Sequence, residues 1–170
     1  HLTQRHDETI HKLSFNEKLM QDIELYSGAR YTTMWLYYSN ATLEIDGKTF
    51  IHSMREIVTS YVPGLEAQIY QWIHFVGSPK EATNYTYTLE YYGNDDSTST
   101  YTGQVIPIDE DYESIVSNHD RGNGFNCPFV MNFGIFENKF VKYGHFKYSI
   151  KIRNLKEEVK DENANPESNK

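Results

Sequence analysis

Histidines are the residues of this chain whose spacing comes nearest to a known chemistry. His1 and His6 stand as H-x4-H, a spacing used by the second ligand pair of a two-cysteine, two-histidine zinc site, where imidazole nitrogens complete a tetrahedron. The cysteine pair that such a site needs is missing from the chain, so the two histidines supply half a site and hold no zinc tightly by themselves. His52, His74, His119 and His145 are dispersed, with no Ser, Cys or carboxylate at a motif spacing beside them. They read as packing or surface residues, and no triad can be assembled from them. Cys127 precedes Pro128 in an apolar stretch, the setting of a buried and inert thiol. Asp109-Glu110-Asp111 and Asp95-Asp96 lack the alternating oxygen ligands and closing Glu of a calcium loop, and read as a helix start and a solvated turn. Asn40-Ala41-Thr42 and Asn84-Tyr85-Thr86 match the glycosylation sequon, which matters only in a secreted protein. No catalytic residue emerges, and the sequence points to binding rather than catalysis.

The elements that would carry a binding surface are short and β-like. Runs at 31–38 (YTTMWLYY), 49–58 (TFIHSMREIV) and 67–77 (AQIYQWIHFVG) have the length and alternation of strands. Further strands are expected at 84–93 (NYTYTLEYYG), 97–106 (STSTYTGQVI), 125–133 (FNCPFVMNF) and 145–152 (HFKYSIKI). In the last, Phe146, Tyr148, Ile150 and Ile152 alternate with Lys147, Ser149 and Lys151, which describes a sheet packed on one face and wet on the other. Asp46-Gly47 is a strong hairpin signal, and Pro63-Gly64 and the run from Gly93 to Asp96 are good turns. One short helix is expected where Asp109 caps and Tyr112, Ile115 and Val116 share a face. The sum is an all-β fold, an antiparallel β-sandwich of about eight strands with one or two short helices.

Composition agrees with that class and narrows the partners. The chain has 170 residues, 38% hydrophobic, with 14 Tyr and 9 Phe, enough for one core and suited to half-buried pleated surfaces. Its net charge of −8 with acidic residues spread throughout leaves no basic footprint for nucleic acid or an anionic membrane. A single cysteine cannot form an internal disulfide, which favours a reducing compartment, cytoplasmic and also nuclear. No membrane span or signal peptide is legible, and the missing initial Met suggests a fragment. Residues 155–170, charged and Asn-rich, read as a disordered tail.

Two stretches resemble the seven-in-absentia family of ubiquitin ligases. One is FVGSPKEATNYTYTLEYYG at 75–93, where Gly77, Lys80, Ala82, Tyr85, Tyr87, Leu89, Glu90 and Gly93 match the family's central strand-turn-strand signature. The other is HLTQRH at 1–6, which looks like the end of the family's second zinc finger. Pro107-Ile108 and the closing Ile150-Lys151-Ile152 follow in the family's order. The resemblance implies a remnant of a zinc finger at 1–8, a TRAF-like substrate-binding sandwich at 9–154, and zinc in the full-length protein held in part by His1 and His6. It also implies a homodimer that presents a groove to degron-bearing protein substrates for ubiquitination and proteasomal degradation. A RING upstream, absent from this chain, would recruit the E2. Such a ligase works by proximity, with no covalent step of its own.

By the same resemblance the peptide lies between an edge strand after the zinc finger and the strand that begins at Gly28-Ala29, held by β-strand addition. Those positions are Ile10, Lys12 and Asn16 on one side and Arg30, Thr32 and Met34 on the other. The family is mostly apolar there, with a Trp. Lys12, Arg30 and Thr32 depart from that pattern, so the usual Val-x-Pro degron is expected to bind poorly, and a register slip would place Trp35 in the groove instead. Two other readings stand beside the ligase: a TRAF-like peptide-binding adaptor without ligase activity, and an extracellular carbohydrate-binding sandwich using exposed aromatic rings.

Overall fold

The structure, a computed structural model, describes residues 10–24, 36–57, 67–110 and 128–156, with the backbone alone at 36–40 and 57. The chain runs through β1 (Ile10–Leu13), β2 (Lys18–Glu24), β3 (Leu36–Ile45), β4 (Lys48–Ile57), β5 (Gln68–Phe75), α1 (Pro79–Ala82), β6 (Tyr85–Tyr92) and β7 (Thr98–Gln104). It continues through β8 (Ile106–Pro107), β9 (Phe129–Asn132), α2 (Phe133–Phe140), β10 (Val141–Lys142) and β11 (His145–Asn154). One sheet has the order β1-β3-β4-β5-β8, with β9 also paired to β5; the other has the order β10-β11-β6-β7, with β2 paired to β11. The fold is an all-β sandwich. Most ladders are antiparallel, and the exceptions are β1 on β3 and β5 on β8, which are parallel.

Side-chain alternation makes the two sheets face each other. Tyr85, Tyr87, Leu89 and Tyr91 of β6 and Phe146, Tyr148, Ile150 and Ile152 of β11 all point inward and are buried. From the opposite sheet Phe50 and Met54 of β4 and Ile69, Ile73 and Phe75 of β5 meet them. Phe50 and Phe75 lie 5.2 and 5.1 Å from the Tyr85 ring, contacts that close the core across the sandwich. β5 is buried on its other face as well, where Tyr70, Trp72 and Ile106 form a second, smaller cluster.

The turns carry the chemistry that the sequence demands. Asp46 and Gly47 both have positive φ, 47° and 75°, the conformation of a two-residue turn whose twist matches the flanking strands of the β3–β4 hairpin. The two strands of that hairpin have ten residues each. Gly93 donates to Ser97 O at 2.7 Å, closing the turn that precedes β7. In the signature stretch Ser78 caps α1 by accepting from Glu81 N, and Pro79 occupies its first turn.

Two sequence expectations are corrected. Within the described part of the stretch at 125–133 the strand runs from Phe129 to Asn132 and ends there rather than at residue 133, because the Asn132 side chain accepts from Ile135 N at 3.0 Å and starts α2. Phe136 and Phe140, one helical turn apart, are the buried anchors of that helix. The run at 97–106 is not one strand, since β7 belongs to one sheet and β8 to the other, with Val105 turning inward between them. Trp72 is core, at 1% exposure. Trp35, Pro63-Gly64, Cys127 and the helix expected around 112–116 lie outside the described residues.

Candidate functional site

The candidate groove begins at β1, and what positions β1 is the turn that follows it. Ser14 N donates to Glu17 Oε2 at 2.9 Å, Phe15 N to Asp46 Oδ2 at 3.3 Å, and Asn16 N to Ile152 O at 2.9 Å. One turn thereby grips the β3–β4 hairpin of one sheet and β11 of the other. The Phe15 ring completes the grip by stacking on Tyr85 at 5.7 Å with an interplanar angle of 8°. Asn16 has φ of 68°, a left-handed conformation that Asn accepts more readily than most residues. It sits in this turn rather than in a strand, so its part is to hold the edge strand in place.

β1 itself is an edge. It pairs in parallel with β3, Ile10 opposite Thr42 through Leu13 opposite Ile45, and among the described residues it pairs with no other strand. Leu13 packs against the core, while Ile10 is 55% exposed, a large apolar side chain left in solvent at the end of the strand. Lys12 is exposed and lies 3.7 Å from Glu44, its partner in the ladder. Exposed pairs of this kind add little to stability, so Lys12 remains available to a ligand. The structure thus brings Ile10 and Lys12 together on one edge with Asn16 behind them; Arg30, Thr32, Met34, His1 and His6 lie outside the described residues.

A buried polar cluster was not anticipated from the sequence. His52 and Gln71, both fully buried, meet in the core, with His52 Nε2 2.5 Å from Gln71 Nε2. Gln71 Oε1 accepts from the Tyr91 hydroxyl. With the amide donating, the imidazole accepts at Nε2 and carries its proton on Nδ1, which has no hydrogen-bond partner. Burial pushes the His52 pKa down to about 3, so the ring is neutral at physiological pH. His74 is held down to about 4, first by burial and then by the Arg55 charge, and its Nδ1 accepts from Trp72 Nε1 at 3.2 Å. Neither ring has a nucleophile beside it, and both serve packing. The alternation of β4 and β5 could have flagged His52 and Gln71 as inward positions, since each lies two residues from an apolar neighbour on the same face.

Two clefts open elsewhere. One of about 590 Å³ lies between Asp22, Tyr92, Lys142, Tyr143 and His145, where Asp22 approaches His145 at 3.4 Å and Lys147 at 3.6 Å. The other, about 510 Å³, adjoins α1 between Lys80, Asn84 and Asn154. The amide of sequon residue Asn84 donates to Glu81 O at 2.9 Å, so its nitrogen is engaged within the fold. Among the described residues no group of three or more His, Cys, Asp or Glu is placed to hold a metal ion, and no helix is long and apolar enough to cross a membrane.

A scan of family models and a search of curated proteins return no match to this chain.

Proposed function

We propose that this chain is the substrate-recognition module of a seven-in-absentia type ubiquitin ligase, a dimeric domain that binds an extended segment of its protein substrate by adding it to β1. The observation that carries the proposal is β1 itself, an edge strand among the described residues, with exposed Ile10 beside a side that no described strand pairs. It stands at the place where the resemblance puts the groove. Strand addition would supply main-chain bonds, and Ile10 and Lys12 would supply selectivity. A zinc finger completed by His1 and His6, a RING and an E2 belong to the longer protein in this reading, and its compartment is the cytoplasm or nucleus.

Selection of a displayed peptide library on the 170-residue chain tests the proposal. Extended segments should be enriched, and their affinity should fall at least ~10-fold in Ile10→Asp, the loss of a buried apolar contact plus an opposing charge. A Val-x-Pro peptide and its scrambled control should bind with equal weakness. No enrichment of any extended segment would remove the reading. The complete open reading frame decides the ligase context: without a cross-braced RING, the same edge would serve an adaptor.

A further inference from the structure

The proposed dimer needs a surface, and the strand edges of the sandwich are unequal candidates for it. Natural sheets protect their edges with charge, proline, bulges or brevity, because an unguarded edge pairs with another chain. β1 has four residues and carries Lys12; β2 carries Lys18, Asp22 and Glu24, all exposed; β8 has two residues and includes Pro107; β9 has four residues and ends in a helix cap. β7, Thr98–Gln104, has seven residues and none of these guards: TSTYTGQ holds no charge and no proline, and its register with β6 runs unbroken.

The outward groups of β7 can be identified. Val105 N donates to Tyr85 O at 3.2 Å, which makes that pair a hydrogen-bonded one and fixes the phase of the ladder. Counting along the register, Ser99, Tyr101 and Gly103 bond to β6, opposite Tyr91, Leu89 and Tyr87. The N–H and C=O of Thr98, Thr100 and Thr102 therefore point away from β6, and among the described residues no strand receives them. All three threonine side chains are exposed.

We infer that this edge is where two copies of the chain pair, antiparallel and two-fold, so that the sheet containing β7 continues from one copy into the other. The inference rests on the dimer reading above and adds the place of contact. A second copy is the occupant because the strand is complementary to itself. In the register that overlaps its full length, Thr100 faces Thr102 of the second copy, Thr98 faces Gln104, and Tyr101 faces its own counterpart on the axis. Threonine pairs across strands are favourable, and no like charges oppose each other although each chain carries −8. The other seven-residue edge among the described strands, β2, carries Lys18, Asp22 and Glu24, the charged guards that β7 lacks.

Sedimentation velocity of the 170-residue chain at concentrations up to about 200 μM tests this, since a single strand pairing is a small interface with a dissociation constant on the order of micromolar. A dimer of twice 19.9 kDa is expected. Thr100→Lys brings two charges together near the axis, and Thr100→Pro deletes an outward donor where an edge strand tolerates proline. Each should weaken dimerisation ~10-fold with an unchanged far-ultraviolet circular dichroism spectrum. Met20→Lys, at an exposed position of β2 on the far side of the same sheet, should leave the dimer intact. A monomer throughout that range, or a dimer indifferent to both Thr100 variants, overturns the inference. Peptide titration of the same variants separates the two claims: peptide binding by a monomeric wild type would sink the edge pairing alone, whereas a Thr100-sensitive dimer that binds no extended peptide would sink the recognition reading alone.

Discussion

His52 shows how much a single residue can impose on this fold. Its ring is fully buried between the sheets, 5.7 Å from Tyr148, with one nitrogen engaged by Gln71 and the other without a partner. Charging it would require an unpaired cation in the core, which is why its pKa falls from 6.5 to about 3. The unfolded chain then binds more protons than the folded one between those values. Stability from this group is complete above pH 6.5 and is lost as the pH falls toward 3. The expected slope is about 1.4 kcal/mol per pH unit. Urea midpoints measured from pH 7 to 5.5, above the range where most carboxylates titrate, should decline. Half-buried His74, shifted the same way, adds a smaller part. His52→Phe removes the ionisation and should flatten the decline while lowering stability at every pH, because the Gln71 amide loses its acceptor. A variant slope equal to that of the parent would show that His52 is not the group responsible. The sequence allowed packing for this histidine, but hydrophobic periodicity cannot say that a polar side chain inside a strand will find a polar partner.

At the scale of elements, glycines separate conformational from steric demand. Gly47 has φ of 75° and open space where a Cβ would stand, so Gly47→Ala strains only the turn. It should cost about 1 kcal/mol. A Cβ on Gly77 would lie 2.2 Å from Phe75 Cε1, and that ring is held at 5.3 Å from Phe50 and 5.1 Å from Tyr85. Gly77→Ala must push a core ring aside and should cost about 2–3 kcal/mol, the larger of the two. Thermal or urea unfolding of both variants checks the order, and equal losses would contradict it. Gly77 belongs to the stretch that suggests the family, and so do buried Ala82, Tyr85, Tyr87 and Leu89. What is recognisable there is a folding unit, a capped turn feeding an alternating strand, which explains why the fold was legible and the ligand was not. Strands with clean alternation, β6 and β11, were evident from the residues alone. α2 was not, because FVMNFGIF is a short apolar run without a clear period, and only the Asn132 cap and the Phe136–Phe140 interval distinguish helix from strand. β1 needed the resemblance, since four residues carry too little pattern.

For the molecule as a whole, the order of strands sets where it can open to a partner. β4, β5, β6 and β11 each have neighbours on both sides, and the aromatic contacts across the core join them into one body. Their amides should be the slowest to exchange with deuterium, opening only with global unfolding. β1 is tied at its end by the Phe15 turn yet on one side has no partner among the described residues, so part of its amides should exchange by local fraying. This division gives the recognition proposal a readout independent of affinity. Saturation with a selected peptide should slow exchange in β1 and leave the outward amides of Thr98, Thr100 and Thr102 unchanged at fixed protein concentration. Raising protein concentration without peptide should slow those three amides and leave β1 as it was. Hydrogen exchange read by NMR resolves the two edges separately. Protection of both edges by peptide alone would mean that ligand binding and self-pairing share one surface, and the assignment of recognition to β1 would fail.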